Sequence, residues 1–341
     1  MSKIELIFRE QMNDYIQPLK DNGCNIWSIS RLNNFNTCPR QYYLTYIEKK
    51  QQKPGIYGIL GTSVHSDLED LYEGKTEKLE PNNFNGEWTK SELFNISFPI
   101  SRGDIKGNYK KDLDTFYKHY KKMEGEFISE LGFVLKIDDK NYIMGYIDLL
   151  ELIDDKTVKV FDFKTSAMFK DKKIIEASRQ LIIYQMALEQ LYGLNILENG
   201  WIMLKYLDVE IDGYKPKKAI QCKDLISKCE TQLRSLMKKN KIDEFLIEMY
   251  LTECFKRNDV NILPEEIRNK IKIKTHYKPC EITEESKGET MKYIKSTITQ
   301  IESIDKENEG CWECKVNDFF CSNLCGYGNT YCKYKDILKL N

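Results

Sequence analysis

The run KVFDFKTS at residues 159–166 places an aspartate and a lysine in an otherwise apolar, strand-forming stretch. Because successive side chains of a strand alternate between its faces, Asp162 and Lys164 share one face, about 7 Å apart. A charged pair in an apolar strand is costly to bury unless it is paired or binds a metal. The pattern therefore indicates either an ion pair at a partly exposed strand end or a site that does chemistry.

A second lone carboxylate, Asp148, lies in the apolar run GYIDLL of the preceding predicted strand. The short polar cluster DDKT between the two runs predicts a hairpin, in which Asp148 and Asp162 can converge. Two carboxylates supply the hard oxygen ligands that Mg²⁺ or Mn²⁺ prefers, and an ammonium group can orient a water or steady developing charge. Together these residue types predict metal-assisted hydrolysis of a phosphodiester.

A histidine can complete such a metal site. The run GTSVHSDLEDLYEG predicts a helix that begins at a Thr62 or Ser63 cap and ends at Gly74. Gly61 allows close backbone approach, and the His65 imidazole can supply a nitrogen ligand. The alternative interpretation of His65 is a capping or surface histidine.

An amide and a phenol hydroxyl follow the second carboxylate strand. Gln180 and Tyr184 are spaced i, i+4, so they share one face of the predicted helix KKIIEASRQLIIYQMALEQLYG. Their polar groups can hold the lysine, a water or a phosphate. The alternative is a polar edge on an amphipathic helix.

The elements that must position these residues follow from a change of period along the chain. Residues up to about 60 have helical spacing, whereas three apolar runs from residue 127 onward are separated by polar turn clusters. The expected order is helix, three antiparallel strands, the helix of Gln180 and Tyr184, and a fourth strand, GWIMLKYLDVEI.

Composition bounds the class of protein. The 341 residues are 41% hydrophobic, enough for a sizeable core, and the net charge of −1 gives no overall basic field that would attract nucleic acid. The sequence contains no run of eighteen apolar residues, and charges interrupt the apolar positions near the N-terminus. We therefore expect a cytoplasmic protein with no membrane partner.

Five of the eleven cysteines fall within 22 residues near the C-terminus. In a reducing compartment, clustered thiols indicate a metal site more often than disulfides. The cluster consists of Cys311, Cys314, Cys321, Cys325 and Cys332.

Four short motifs together resemble the RecB-type nucleases of the PD-(D/E)xK superfamily, the branch that holds the AddB nuclease domain and the CRISPR-adaptation exonucleases. GTSVH corresponds to GxxxH, GYIDLL to the GxxD strand, VFDFKTS to the (D/E)xK strand and QLIIY to QxxxY. The motifs stand in family order over residues 61–184, which is far more specific than any one of them. The superfamily's proline is absent, because Ile147 precedes the aspartate.

The resemblance implies roles for the matching positions. His65, Asp148, Asp162 and the Phe163 main-chain carbonyl would bind Mg²⁺ or Mn²⁺, and Lys164 would be the catalytic lysine. Gln180 and Tyr184 would organise the site or contact DNA. Glu130, before the motif strands, is a further candidate acid near the metal.

The resemblance also accounts for the cysteines. Iron–sulfur members of the family hold a 4Fe-4S cluster with one cysteine ahead of the nuclease core and three behind it. The run NTCPRQYYL supplies Cys38 as the upstream ligand, and the downstream trio is Cys321, Cys325 and Cys332 or, alternatively, Cys311, Cys314 and Cys321. A zinc knuckle of four C-terminal cysteines, which would leave Cys38 a buried thiol, is the other possibility.

The expected fold is α/β, with a restriction-endonuclease-like core of a central mixed sheet flanked by helices, an added helical region and a C-terminal cysteine-rich segment. The expected divisions are an N-terminal helical segment at 1–60, the nuclease core at 61–212, a helical region at 213–305 and an iron–sulfur segment at 306–341, which packs on the N-terminal part.

The resemblance implies a metal-dependent DNA nuclease, an exonuclease acting on DNA ends or single strands in recombination, repair, phage DNA processing or CRISPR adaptation. The sequence has no GxxxxGK[ST] loop, so any ATP-driven unwinding would come from a helicase or recombination partner. The alternatives are an inactive DNA-binding or scaffold protein on the same fold and a structure-specific endonuclease.

Overall fold

The computed structural model describes residues 6–100, 103–328 and 330–332 of the chain. Its strands are β1 (Asn25–Trp27), β2 (Glu126–Lys136), β3 (Asn141–Asp154), β4 (Thr157–Lys164), β5 (Asn195–Ile211), β6 (Lys217–Gln221) and β7 (Ile271–Pro279). Its helices are α1 (Met12–Asp21), α2 (Ile29–Thr37), α3 (Pro39–Tyr42), α4 (Ile56–Tyr72), α5 (Asn82–Leu93), α6 (Ile105–His119), α7 (Lys172–Tyr192), α8 (Leu225–Lys239), α9 (Glu244–Arg257), α10 (Glu265–Arg268), α11 (Glu284–Ser303) and α12 (Asp318–Asn323). Within these ranges no helix is both long and apolar enough to cross a membrane.

The strands form one mixed sheet. β2, β3 and β4 pair antiparallel in sequence order, as the polar turn clusters predict. Helix α7 then carries the chain across the sheet, so that β5 pairs parallel to β4. β1 pairs parallel to β3, and β6 and β7 pair antiparallel to β5.

Helices bury both faces of this sheet. One apolar core lies between the sheet and α4, α5, α6, α8 and α9. A second core lies between the opposite face and α2, α7 and α11. The predicted α/β class, a central mixed sheet flanked by helices, is confirmed.

The expected helical region at 213–305 is helical only in part. It contributes β6 and β7 to the central sheet, so a boundary at residue 212 separates strands that are hydrogen-bonded to one another. In β7, Ile271 and Ile273 are half-buried and alternate with exposed Lys272 and Lys274, which is the period of a strand. The high lysine content masked that alternation, and the division into four parts otherwise stays a prediction.

Helix α4 begins earlier than the cap residues Thr62 and Ser63 predict. Gly55 precedes its first residue, Ile56, and the helix ends at Tyr72, close to the expected stop. The apolar residues Ile56 and Leu60 are buried against one core and extend the helix by about two turns. His65 therefore lies in the middle of a rigid helix.

The C-terminal segment lies against the N-terminal helices. The Trp312 ring stacks on Tyr42, with centroids 5.7 Å apart. The Tyr327 hydroxyl donates to the Lys50 carbonyl at 3.0 Å, and the Lys53 N–H donates to the Gly326 carbonyl at 3.3 Å. Residues 1–5 of the expected N-terminal segment, and 329 and 333–341 of the expected iron–sulfur segment, lie outside the described residues.

Candidate active site

Three carboxylates form a row across neighbouring strands. The register places Glu130 of β2 opposite Asp148 of β3, and Asp148 opposite Asp162 of β4, one step beyond the paired Leu149 and Phe161. The β3–β4 ladder ends there, and the Phe163 N–H donates to Asp148 Oδ2 at 2.9 Å instead of to a carbonyl of β3. The predicted convergence of Asp148 and Asp162 is therefore observed, at a point where the two strands separate.

Asp162 and Lys164 are in contact. Asp162 is 0% exposed, and Lys164 Nζ lies 2.6 Å from its Oδ2. The ammonium approaches from a poor direction, however, because neither Asp162 oxygen accepts a hydrogen bond of ordinary geometry from a described residue. The buried carboxylate thus has unfilled acceptor positions, which a hard cation can use.

Burial and charge oppose each other at this pair. Burial and the neighbouring Asp148 raise the pKa of Asp162, Lys164 lowers it, and the net value is about 6. Burial alone would lower the pKa of Lys164, but Asp162 and Asp148 carry it above its ordinary value. Lys164 is therefore an ammonium at neutral pH, a group that steadies negative charge and does not accept a proton.

Helix α7 holds the lysine from the other side. Lys164 Nζ donates to Gln180 Oε1 at 3.0 Å, and Gln180 Nε2 donates to the Tyr184 hydroxyl at 2.5 Å. Tyr184 is buried, and burial raises its pKa well above the ordinary value, so its hydroxyl stays protonated. The i, i+4 pair of the sequence thus forms a relay of hydrogen bonds that orients Lys164.

His65 reaches the row from helix α4. Its Nδ1 lies 3.4 Å from Asp148 Oδ2, and its ring meets the Phe163 ring edge-on at 6.1 Å. Gly61 lies one turn earlier, where a Cβ would come within 3.3 Å of Thr165 Oγ1. The glycine thus lets α4 pack close to the end of β4, which brings His65 to the carboxylates.

Glu130 has an unusual backbone. Its φ is +51°, a left-handed value that costs free energy for a residue with a side chain and that recurs at functional sites. Its carboxylate lies 2.6 Å from Arg9 Nη2. Burial and the neighbouring Asp148 raise the pKa of Glu130 to about 7, although Arg9 lowers it.

A cavity of about 240 Å³ opens beside the row, lined by His65, Glu69, Glu130 and Arg9 among others. The sequence interpretation missed Glu69 and Arg9. Glu69 had a signal, because it is four residues after His65 and shares its helix face. Arg9 had none, because it is 121 residues from its partner Glu130.

Replacing Glu130 by glutamine removes a carboxyl group whose ionisation destabilises the folded chain above neutral pH. The folded chain holds this proton up to about pH 7, whereas an unfolded chain releases it near pH 4.3. Wild-type stability therefore falls between these values, and a glutamine has no such loss. The full shift corresponds to about 4 kcal/mol, and remaining solvent contact reduces it to about 1–2 kcal/mol.

Urea unfolding with EDTA, at pH 4.5 and pH 8, measures this difference. We expect the free energy of unfolding of Glu130→Gln, relative to that of the wild type, to be about 1–2 kcal/mol higher at pH 8 than at pH 4.5. The comparison cancels the contribution of Asp162, which titrates in both proteins. An identical pH dependence of the two proteins would contradict the assignment.

The donor set fits a hard divalent cation, although no group of three His, Cys, Asp or Glu side chains within the described ranges is close enough to hold a metal ion as positioned. Asp162 has unused buried oxygens, and His65, Asp148 and Glu130 face the same small void. Oxygen ligands with one imidazole suit Mg²⁺ or Mn²⁺. The roles of His65, Asp148, Asp162 and the Phe163 carbonyl as ligands stay a prediction.

The cysteines of the two chain ends also lie close together. The sulfurs of Cys314 and Cys332 are 3.3 Å apart, and Cys38 and Cys321 are buried. Burial, together with the neighbouring thiols of Cys332, Cys38 and Cys321, raises the pKa of Cys325 to about 11.

Two observations bear on the choice among these cysteines. Cys311, the remaining thiol of the C-terminal run, is exposed. A Cβ at Gly328 would overlap the Cys321 carbonyl, so the chain turns back on itself there with no space for a side chain. The thiols of Cys38, Cys321, Cys325 and Cys332 lie near one another, with Cys314 as a fifth, whereas the alternative trio includes the exposed Cys311.

A family model matches the chain over most of its length. No curated protein is significantly similar to the chain. A model of the PD-(D/E)XK nuclease superfamily matches residues 26–335, which include the carboxylate row, Lys164, the Gln180–Tyr184 pair and all the clustered cysteines. That match covers most of the sequence, and the chain belongs to the PD-(D/E)XK nuclease superfamily.

Proposed function

We propose that the chain is a metal-dependent DNA nuclease that hydrolyses phosphodiester bonds from DNA ends. The observation that carries the proposal is the fully buried Asp162, set between Asp148 and the Lys164 ammonium, which lies 2.6 Å from its Oδ2 without the geometry of an ordinary hydrogen bond. A carboxylate in this environment costs free energy, and a purely structural site has no reason to keep it. A catalytic role in phosphodiester hydrolysis explains why a carboxylate occupies this position despite the cost.

The metal ligands of the proposal are His65, Asp148, Asp162 and the Phe163 carbonyl. A bound Mg²⁺ or Mn²⁺ would polarise the phosphoryl oxygen and lower the pKa of a bound water. Asp162 keeps its proton up to a pH of about 6 in the absence of a cation, so binding of a divalent metal releases protons below that pH. The cation also competes with Lys164 for the same carboxylate.

Lys164 would steady the charge that develops on the phosphate during attack. Its raised pKa keeps it cationic, and Gln180 fixes its position through a 3.0 Å hydrogen bond. Tyr184 fixes Gln180 in turn, because the hydroxyl accepts from the amide nitrogen. Such preorganised donors act without reorganisation during the reaction.

Glu130 adds an acid beside the metal site that changes protonation near pH 7. In the ionised form, held by Arg9, it can accept a proton from the attacking water, and in the protonated form it can donate to a phosphate oxygen. We assign it to the proton transfer of the reaction and not to the metal.

We further propose that the cysteines hold a 4Fe-4S cluster through Cys38, Cys321, Cys325 and Cys332, with Cys314 adjacent to it. Soft thiolates from both ends of the chain are the ligands that such clusters use. The cluster would tie the N-terminal helices to the C-terminal segment, where Tyr327 and Trp312 already join them. A zinc knuckle of four C-terminal cysteines, which would leave Cys38 a buried thiol, is the competing possibility.

Cleavage of matched linear and closed circular DNA tests the function. With Mg²⁺ or Mn²⁺ we expect the linear form to be degraded from its ends while the closed circle persists, and EDTA should stop the reaction. Rapid nicking of the circle would show that the enzyme is an endonuclease and not an exonuclease. A protein that binds DNA but leaves both forms intact with either metal would be the inactive scaffold of the alternative.

A further inference from the structure

A second and larger cleft, of about 1090 Å³, lies beside the active site. Its walls are the end of α6 with the loop that leads to β2, the segment around α10, and the strand β7. Its volume is at the upper end of the range of about 300–1,000 Å³ that is typical of small-ligand pockets, so it accommodates more than one nucleotide-sized group. Neither the carboxylate row nor the cysteines contribute to it.

The rim of the cleft is strongly basic in a chain whose net charge is −1. Six exposed cationic side chains line it, against two acidic ones, Glu124 and Glu265. None of the six forms an ion pair with another described residue, and two of them only donate to main-chain carbonyls. The six are Lys118, Lys121, Lys122, Arg268, Lys272 and Lys274.

The floor of the cleft is apolar. It contains Phe161 and Tyr277, whose rings meet edge-on with centroids 5.7 Å apart, together with Ile202, Ile271 and Ile273. A basic rim over an apolar, partly aromatic floor suits a ligand that carries both phosphates and exposed flat rings. Single-stranded DNA has both features, whereas a duplex hides its base faces in the stack.

The cleft lies next to the small void of the active site. Phe161 of its floor and Phe163 beside Asp148 are two residues apart on β4, so they share one face about 7 Å apart, the face opposite to that of Asp162 and Lys164. Lys122 of its rim lies 5.4 Å from the Tyr72 ring centroid, and Tyr72 lines that void together with Asp148 and Glu130. The cleft therefore approaches the carboxylate row from the side of Asp148 and Glu130.

From this arrangement we infer that the cleft binds one strand of DNA, with its phosphates on the cationic rim and its bases over the apolar floor, and directs that strand towards the Asp148 and Glu130 side of the carboxylate row. The inference rests on the proposed nuclease function, because it supplies the substrate path to that same site. According to this inference, the DNA lies on the α6–β7 side of the sheet, and the cleft binds unpaired DNA.

Fluorescence anisotropy on the full-length chain in EDTA tests binding without cleavage. The probes are a labelled oligothymidylate of about 16 nucleotides, an abasic strand with the same number of phosphates, and a duplex of the same length. The cleft variant combines Lys121→Gln, Lys272→Gln and Lys274→Gln. The control combines Lys20→Gln, Lys140→Gln and Lys306→Gln, which removes the same charge from exposed lysines outside the cleft.

We expect the cleft variant to bind oligothymidylate at least about tenfold more weakly than the control, with the slope of log K against log salt lower by about 2, since each lost phosphate contact contributes about 0.7. The abasic strand should bind the wild type at least about fivefold more weakly than oligothymidylate. The duplex should be bound more weakly than the single strand and lose less affinity in the cleft variant.

Three results would overturn the inference: affinity of the cleft variant within twofold of the control, equal binding of the abasic and normal strands, or a duplex that loses as much affinity as the single strand. The proposed function fails separately. If the chain binds as expected in EDTA but cuts no DNA with metal, the cleft assignment stands and the nuclease function is wrong. If the chain cuts DNA but the cleft variant binds as tightly as the control, the nuclease function stands and the cleft assignment is wrong.

Discussion

Lys164→Ala lowers the initial rate of metal-dependent DNA cleavage by about 10²–10³-fold, the loss expected when one preorganised charge is removed from a transition state. The lysine is the only side chain of the proposed site that brings a fixed positive charge to Asp162, at 2.6 Å. It is also the group that Gln180 and Tyr184 hold in place. The measurement is the rate of nucleotide release from linear DNA at saturating Mg²⁺ or Mn²⁺.

Loss of folding must be separated from loss of catalysis in this variant. Removing one partner of a buried ion pair leaves the other charge unpaired, which costs about 3–5 kcal/mol unless the group takes up a proton. Circular dichroism and DNA binding in EDTA report whether the fold persists. Lys164→Met, which fills most of the volume, provides a second variant that should be equally inactive.

Lys159 on the same strand is the matched control. Its side chain is 25% exposed against 22% for Lys164, and it too pairs with a carboxylate, Glu151 at 3.0 Å. It lies toward the other end of β4, away from the row. Lys159→Ala should keep cleavage within about threefold of the wild type, because exposed or half-exposed ion pairs contribute little to stability. Equal activity of the two alanine variants would remove Lys164 from the mechanism.

Local patterns predicted the centre of the site well. Strand alternation places Asp162 and Lys164 on one face, and the short turn between β3 and β4 sets the register that brings Asp148 opposite Asp162. The i, i+4 spacing of Gln180 and Tyr184 sufficed to place both on the side of α7 that faces the lysine. These relations depend on residues that are close together in the sequence, so they can be predicted from the sequence alone.

Contacts between distant segments were not predictable in the same way. The left-handed φ of Glu130 arises where β2 crosses the row, and nothing in the run FISELGF indicates it. Arg9 reaches Glu130 only because the chain before α1 lies against β2, where Ile7 and Gly132 form an isolated bridge. In β7 a pattern was present, the alternation of isoleucine and lysine, but its high charge resembled a solvated helix.

Cys38→Ser is expected to abolish the iron–sulfur cluster and to cost about 5 kcal/mol of folding stability, because the cluster closes a loop of roughly 300 residues between Cys38 and Cys332. Cys38 is buried at the start of α3, whose Arg40 N–H donates to the Glu313 carbonyl. Loss of the ligand should therefore loosen the contact between the chain ends. Anaerobically purified wild type should be brown with about four iron atoms per chain, and the variant colourless.

Serine replacements at the other cysteines decide between the two ligand sets. Cys325 lies among the thiols of Cys332, Cys38 and Cys321, whereas Cys311 is exposed. Cys325→Ser should lose the iron and Cys311→Ser should retain it, with Cys314→Ser also retaining it because a cubane needs only four thiolates. The reverse result, iron lost with Cys311→Ser and kept with Cys325→Ser, would establish the alternative trio. Colourless wild type that contains zinc and no iron would instead make the C-terminal thiols a zinc site. Such a knuckle uses C-terminal cysteines alone, so it leaves Cys38 replaceable and does not tie the two chain ends together.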